Sequence, residues 1–394
     1  MKRVVLAYSG GLDTSVAITW LKEQGWDVVA AAVDVGQPGD LQGVVARATE
    51  LGAVDALLVD ARERFAEEFV VPALKMNALY QGCYPLVSAL SRPLIAQELA
   101  DVAAKTGASA VAHGCTGKGN DQVRFEVSFG ALAPELEVLA PVRDWGMNRA
   151  DTISYAEAHD LPISTTRSSP YSIDENLWGR SIECGVLEDP WIAPPDDIYE
   201  LTVGPSDAPR HSKTIEISFE EGVPVSIDGE GLSPLHAIEQ CGKLGGEYGI
   251  GRIDHVEDRL VGIKSREIYE APAAVTLIAA HTALETLTLE RGLSKEKRRL
   301  DTLWADLVYE GLWFSPLKGA IDAFAAVTQQ TVTGDVRLSL DPGVCRVVGR
   351  RSPKSLYDLG LATYDEGDAF DHEDASGFVR LWGLSTKKWA KTNK

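Results

Sequence analysis

Between residues 2 and 165, short apolar runs alternate with amphipathic stretches. Lys2 to Tyr8 (KRVVLAY) and Val28 to Val33 each read as a strand buried on both faces. Between them, Thr14 to Gln24 sets Val16, Ala17, Trp20 and Leu21 on one side of a helix. Further strands are predicted at Ala56 to Val59, Ala110 to His113 and Val138 to Ala140, with helices over Leu41 to Leu51, Arg92 to Thr106 and Arg149 to His159. Such alternation builds a doubly wound parallel α/β sheet, with ligands at the carboxyl ends of its strands. The pattern changes after TTRSSPYSIDEN (165–176), and Pro190, Pro194 and Pro195 then mark a connector. Lys213 to Phe219 and Val223 to Ile227 flank Glu220-Glu221-Gly222, while Val336 to Leu340 and Cys345 to Val348 flank Asp341-Pro342-Gly343. Two hairpins in an α+β region are the simplest reading. The last residues carry Phe378, Leu381, Trp382, Leu384 and Trp389 beside Lys387, Lys388, Lys391 and Lys394, an amphipathic basic tail.

At 394 residues the chain exceeds one ordinary core, so two domains with a smaller appendage are expected, divided as 1–165, 166–365 and 366–394. A composition 45% hydrophobic and 24% charged is that of a folded soluble protein. The net charge of −20 repels a phosphate backbone, and no strong basic patch precedes the tail, which argues against a nucleic-acid partner. The same field opposes any phosphorylated ligand, so affinity for one has to come from a local cluster of donors. The apolar part of MKRVVLAYSGGLDTS is only about half the ~10-residue core of a signal peptide. No apolar run reaches the ~18 residues of a spanning helix, so a cytoplasmic protein without a membrane partner is expected. Cys83, Cys115, Cys184, Cys241 and Cys345 stand far apart without a C-x-x-C pair, which speaks against a disulfide framework or a zinc site.

The first strand runs straight into Ser9-Gly10-Gly11-Leu12-Asp13-Thr14-Ser15 and then a helix. Two glycines allow a tight turn and close approach to a ligand, while free amides at the helix start and the hydroxyls of Ser9, Thr14 and Ser15 face an anion. An ordinary capped turn needs only one glycine and one Ser or Asp. The run resembles the SGGxD[ST]S signature of the ATP pyrophosphatase superfamily, which cleaves ATP between the α and β phosphates. It is no Walker A loop, because Gly117-Lys118 is followed by Gly119 and Ala112 stands at the required glycine position. A carboxylate at Asp13 inside an anion loop makes sense beside a cation, and Mg²⁺ bridging phosphate oxygens is the natural one. Gly249-Ile250-Gly251 lacks a third glycine and a preceding strand, and reads as a loop.

The superfamily contains tRNA-thiolating enzymes, glutamine-fed synthetases and free-amine ligases. Reactive cysteines, a basic face, an N-terminal cysteine and a GxCxG elbow are all missing from this sequence, which leaves an amine that arrives free. After the predicted strand at Ala110 comes His113 to Glu126, HGCTGKGNDQVRFE. Thr116, Lys118, Asn120 and Arg124 supply donors for carboxylates, and Asp121 supplies an acceptor for an ammonium or ureido N–H. This stretch resembles the HGATGKGNDQVRFE signature of the argininosuccinate synthetase family, with Cys115 in place of alanine. PYSIDENL (170–177), GRIDHVEDRLVGIKSREIYEAP (251–272), DLVYEG and SPKSLY extend the resemblance over nearly the whole chain.

The resemblance implies an AMP-forming carbon–nitrogen ligase of arginine biosynthesis. Such an enzyme uses ATP and Mg²⁺ to condense citrulline with aspartate through a citrullyl adenylate, and works as a homotetramer. Carried onto this sequence, Ala7, Tyr8, Ser9, Gly10, Gly11, Leu12, Asp13, Thr14, Ser15 and Gly114 would contact ATP. Thr116, Asn120 and Asp121 would hold aspartate. Tyr84, Ser88, Asn120, Arg124, Ser172, Ser181, Glu257 and Tyr269 would hold citrulline, with Arg124 suited to its carboxylate and Glu257 to its ammonium or ureido hydrogens. Asp13 and Asp121 are the candidate catalytic carboxylates, and either Asp121 or a phosphate oxygen could accept the proton of the attacking amine. The metal would be held with ATP, near Asp13, and not by the protein alone. The chain departs from the family pattern at Ala89, Val33 and Trp178-Gly179-Arg180. An RNA-thiolating enzyme and a nucleotide sensor without turnover are the rival readings.

Overall fold

A computed structural model describes residues 2–161 and 170–394. The expected boundary at 165/166 lies outside the described residues. Five parallel strands, β1 (Lys2–Ala7), β2 (Trp26–Asp34), β3 (Asp55–Asp60), β4 (Ala110–Ala112) and β5 (Glu137–Leu139), form one sheet in the order β3-β2-β1-β4-β5. Its strands are nearly uninterrupted apolar runs because both faces are covered. Val4 and Leu6 pack with Ile18 and Leu21 of the Leu12–Glu23 helix on one face. Val5 points the other way, toward Leu99, Val102, Phe125 and Phe129 of the Val87–Thr106 and Asp121–Leu132 helices. This is the doubly wound arrangement that the alternation of the sequence predicts.

One boundary differs from expectation. The helix predicted from Arg92 begins at Val87, with Pro93 inside it. A proline suits a helix's first turn, yet Val87, Ser88, Ala89, Leu90 and Ser91 are buried, and that packing extends the helix backward past Pro93. The extra turn matters because it carries Ser88.

The remaining chain builds two antiparallel sheets. The first has the order β10-β9-β8-β13-β14, made of β8 (Lys213–Glu220), β9 (Val223–Ile227), β10 (Glu230–Gly231), β13 (Gly334–Asp341) and β14 (Val344–Arg351). Both predicted hairpins lie in it, joined edge to edge through β8 and β13. Glu221 and Gly222 turn the first hairpin with φ of +48° and +77°, and the glycine tolerates that geometry at no steric cost. The second sheet has the order β11-β12-β7-β6, and sequence patterning missed it: β6 (Ser172–Asn176), β7 (Gly179–Glu183), β11 (Arg252–Asp258) and β12 (Lys264–Glu270). Its strands carry charged side chains on both faces, since one face lines a cavity, so they lack alternation. The tail folds as two helices, His372–Trp382 and Leu384–Asn393, which leave Trp382 71% and Trp389 64% exposed. No helix among the described residues is long and apolar enough to cross a membrane.

Candidate active site

The order of the parallel sheet reverses at β1, so the loops leaving β1 and β4 diverge to opposite faces and open a crevice between them. The β1 loop turns at Gly10, whose φ of +77° and approach to Val44, 2.9 Å from where a Cβ would stand, exclude other residues. Ser9 Oγ lies 3.1 Å from Thr14 Oγ1, the Gly11 amide donates to Ser9 Oγ at 3.4 Å, and Arg47 reaches the Gly10 carbonyl at 3.3 Å. Asp13 is exposed in the first helical turn. Ser15 is buried and hydrogen-bonded to the Tyr8 hydroxyl at 3.2 Å, so it braces the loop from beneath. From the other loop Gly114 packs onto Thr14, where a Cβ would stand 2.8 Å from Cγ2. The Gly114 backbone thus lies against the Thr14 side chain across the crevice, beside a helix start whose free amides suit phosphates. The Cys115 amide donates to His113 Nδ1 at 3.3 Å, which places the imidazole proton on Nε2, 3.4 Å from Glu126. Burial lowers the His113 pKa and keeps the ring neutral.

The crevice continues into a cavity of about 830 Å³ that reaches the second antiparallel sheet. Ala7, Tyr8, Ser9, Thr14 and Gly114 line it together with Thr116, Asn120, Asp121, Tyr84, Ser88, Arg124, Ser172, Ser181, Glu257 and Tyr269. Gly10, Gly11, Leu12, Asp13 and Ser15 belong to the same loop but do not line the cavity. Local periodicity aims several of these groups. Ser88, Arg92 and Ile95 recur on one side of the Val87–Thr106 helix, and Asp121 and Arg124 share a face of the next. On the sheet, Asp174 on β6 stands opposite Ser181 on β7, which stands opposite Tyr269 on β12, a polar row across three strands.

These side chains hold one another rigidly. Asp121 takes Arg124 on Oδ1 at 2.8 Å and Arg92 on Oδ2 at 2.8 Å, and Arg92 also pairs with Asp174 at 2.9 Å. Burial pushes the Asp121 carboxyl up, but the two guanidiniums outweigh burial and hold it below its ordinary value. Arg124 Nε donates to the Tyr309 carbonyl at 3.0 Å, whereas its NH2 is buried without a hydrogen-bond partner. Glu257 accepts from the Tyr269 hydroxyl at 2.6 Å and the Tyr309 hydroxyl at 2.7 Å. Burial raises both phenols far above their ordinary pKa, so they are neutral donors. Arg259, just past the end of β11, pairs with Glu183 and Glu267 instead. Tyr84 stacks on Tyr269 with ring centroids 4.2 Å apart, and its hydroxyl accepts the Ser88 amide at 3.0 Å. Among the described residues no group of three or more His, Cys, Asp or Glu side chains is placed to hold a metal ion.

Arg92, Asp174 and Tyr309 were not singled out from sequence. The signal for Tyr309 was present in DLVYEG, a stretch that matched the family pattern without suggesting a role. The departures at 178–180 are absorbed: Trp178 is buried and donates its indole N–H to the Pro85 carbonyl at 2.8 Å, while Arg180 pairs with Glu175 and Glu200.

A glycine-turned loop at the switch point of a 3-2-1-4-5 parallel sheet, opening onto a cavity walled by a second domain, defines a nucleotide-binding enzyme of the HUP class. Residues 3–162 match the arginosuccinate synthase N-terminal HUP domain and residues 171–389 match the arginosuccinate synthase C-terminal domain. The argininosuccinate synthase of Bacillus pumilus is 58% identical over 393 residues, spanning 100% of this chain and 98% of that protein. That of Halalkalibacterium halodurans is 56% identical, over 100% of this chain and 96% of that protein. The chain belongs to the argininosuccinate synthase family.

Proposed function

We propose that the cavity adenylates the ureido oxygen of citrulline and then delivers the amine of aspartate to the activated carbon. Argininosuccinate synthases condense citrulline with aspartate in arginine biosynthesis, and this chain is an ATP-using carbon–nitrogen ligase of that family. The observation that carries the reading is the presence, in the lining of one cavity, of a buried guanidinium nitrogen without a partner, Arg124 NH2, and a carboxylate held, among the described residues, by two neutral tyrosines, Glu257. An unpartnered buried donor is costly unless a ligand completes it. A guanidinium beside a carboxylate is the receptor for an α-amino acid, whose own carboxylate and ammonium are complementary. Tyr84, Ser88, Asn120, Ser172, Ser181 and Tyr269 complete the citrulline site, and Thr116, Asn120 and Asp121 hold aspartate.

A ureido carbon is deactivated by nitrogen donation, and its oxygen cannot leave as hydroxide. Transfer of AMP to that oxygen, with loss of pyrophosphate into the Ser9–Ser15 cradle and beside Gly114, converts it into a leaving group. The aspartate amine then attacks and AMP departs with the oxygen. Juxtaposition of the two reactants is worth roughly 7–11 kcal/mol. With both Asp121 oxygens already engaged by arginines, Asp121 orients the incoming ammonium as an anion, and a phosphate oxygen of the adenylate accepts the proton. Mg²⁺ would be held with ATP, beside Asp13, and would supply charge neutralisation for the departing pyrophosphate.

Citrulline labelled with heavy oxygen at the ureido carbon tests the scheme. Labelled AMP, unlabelled pyrophosphate and unlabelled argininosuccinate are the expected products. Unlabelled AMP would point to activation of the aspartate carboxylate, and label in pyrophosphate or water would rule out the adenylate. AMP formed without either amino acid would favour a different acceptor.

The division 1–165, 166–365 and 366–394 and a cytoplasmic location belong to the same proposal. So does a homotetramer in which the exposed Phe378, Trp382 and Trp389 of the tail are covered by neighbouring subunits. A chain ending at residue 365 should sediment as an assembly of fewer subunits than the full-length chain forms; an unchanged subunit number would show the tail to be dispensable.

A further inference from the structure

Tyr309 ends the Arg291–Tyr309 helix, far in sequence from the residues that line the cavity. Its hydroxyl donates to Glu257 Oε1 at 2.7 Å and accepts from Asn120 Nδ2 at 2.8 Å. Its carbonyl accepts from Arg124 Nε at 3.0 Å, and its ring lies under the same guanidinium, 4.9 Å from the centroid. The next turn closes on the same arginine: Gly311, at φ +78°, brings its backbone to Arg124, where a Cβ would stand 2.9 Å from the arginine Cα. On its other face the ring stacks on Tyr80 at 3.5 Å, so it has no freedom to swing aside. One residue therefore touches Asn120, Arg124 and Glu257, which come from two separate elements of the chain.

The physical problem it solves is internal neutralisation. Arg124 and Glu257 are buried opposite charges that line one cavity, and opposite charges attract more strongly where water is excluded. If they met, the receptor for the amino-acid head group would close on itself, and citrulline would have to break that pair before binding. The Tyr309 phenol stands against both. It gives Glu257 a neutral donor in place of a cation, and it gives the Nε side of Arg124 a carbonyl and a ring face in place of Glu257, while NH1 stays paired with Asp121.

We infer that Tyr309 is the positioning residue that holds Arg124 and Glu257 apart and aimed, as a preformed receptor for the α-amino-acid end of citrulline. The inference rests on the reading of Arg124 and Glu257 as citrulline ligands. It goes further in assigning their geometry to a residue that need not touch the substrate. Tyr309 does not adjoin the phosphate cradle, so its effect should be confined to the amino-acid side.

Tyr309→Phe keeps the ring stacked between Tyr80 and Arg124 and deletes only the hydroxyl, so the fold should survive. Loss of a hydrogen bond to a charged group predicts a citrulline KM raised about tenfold or more, with the ATP KM unchanged within about twofold. Glu257→Gln alone should also raise the citrulline KM, and the double variant should be little worse than Glu257→Gln, since the hydroxyl acts through the carboxylate. Full additivity of the two substitutions would overturn the coupling. A parallel rise in citrulline and ATP KM with a lower melting temperature would make Tyr309 merely structural. A raised citrulline KM in Glu257→Gln with none in Tyr309→Phe would remove the inference and leave the substrate reading standing. An unchanged citrulline KM in both would remove the reading itself.

Discussion

Asp13→Ala is expected to lower the rate of pyrophosphate release about 10³-fold or more while leaving the melting temperature near that of the parent protein. Asp13 is exposed in the first turn of the Leu12–Glu23 helix, so its removal vacates no core space. A carboxylate there is favoured by the positive end of the helix dipole in the free protein, yet it repels the phosphates of ATP. The chain carries a net charge of −20, which adds to that repulsion. On the proposed reading a divalent cation would lie between carboxylate and phosphate, so the loss should appear in turnover and not in folding. Pyrophosphate release measured over a Mg²⁺ titration decides the matter. Full turnover of the variant at saturating Mg²⁺ would exclude Asp13 from the metal-bridged site.

Arg124→Lys is expected to raise the citrulline KM about 100-fold, with the ATP KM within about twofold of the parent value. The guanidinium makes three separate commitments. NH1 binds Asp121, Nε binds the Tyr309 carbonyl, and NH2 is buried without a hydrogen-bond partner, the nitrogen proposed to meet the citrulline carboxylate. A lysine ammonium concentrates its donors on one atom and cannot span Asp121, a carbonyl and a substrate carboxylate together. The charge is conserved, so the variant separates the geometry of the fork from the sign of the charge. A citrulline KM close to that of the parent would mean that the substrate carboxylate is received elsewhere on the wall.

Both predictions rest on residues legible in the sequence, for a physical reason. A phosphate loop is local: a strand, two glycines, hydroxyls and a helix start lie in consecutive residues, so Ser9 to Ser15 could be read directly. His113 to Glu126 is local in the same sense. The Val87 start of the second cavity helix was hidden, because Pro93 looks like a helix start and only tertiary burial of Val87 to Ser91 shows that it is not. The sheet of β6, β7, β11 and β12 was missed because its cavity-lining face carries Asp174, Ser181 and Glu257 where patterning looks for apolar residues.

By itself the sequence determined the doubly wound α/β fold, the acidic character of the chain, and the two loops that meet at the reversal of the sheet. Those properties depend on neighbours along the chain and on composition. Only the tertiary structure decided that Arg92 bridges Asp121 to Asp174, that Tyr309 joins Asn120, Arg124 and Glu257, and that Arg124 keeps one nitrogen unspent. Asn120 and Tyr309 stand 189 positions apart, and no periodicity of 2 or 3.6 residues carries information over that separation. Their meeting is set by the packing of helices and sheets whose apolar faces were legible but whose mutual placement was not. The chemistry of the groups is written residue by residue, whereas the distances between them are a property of the packed core.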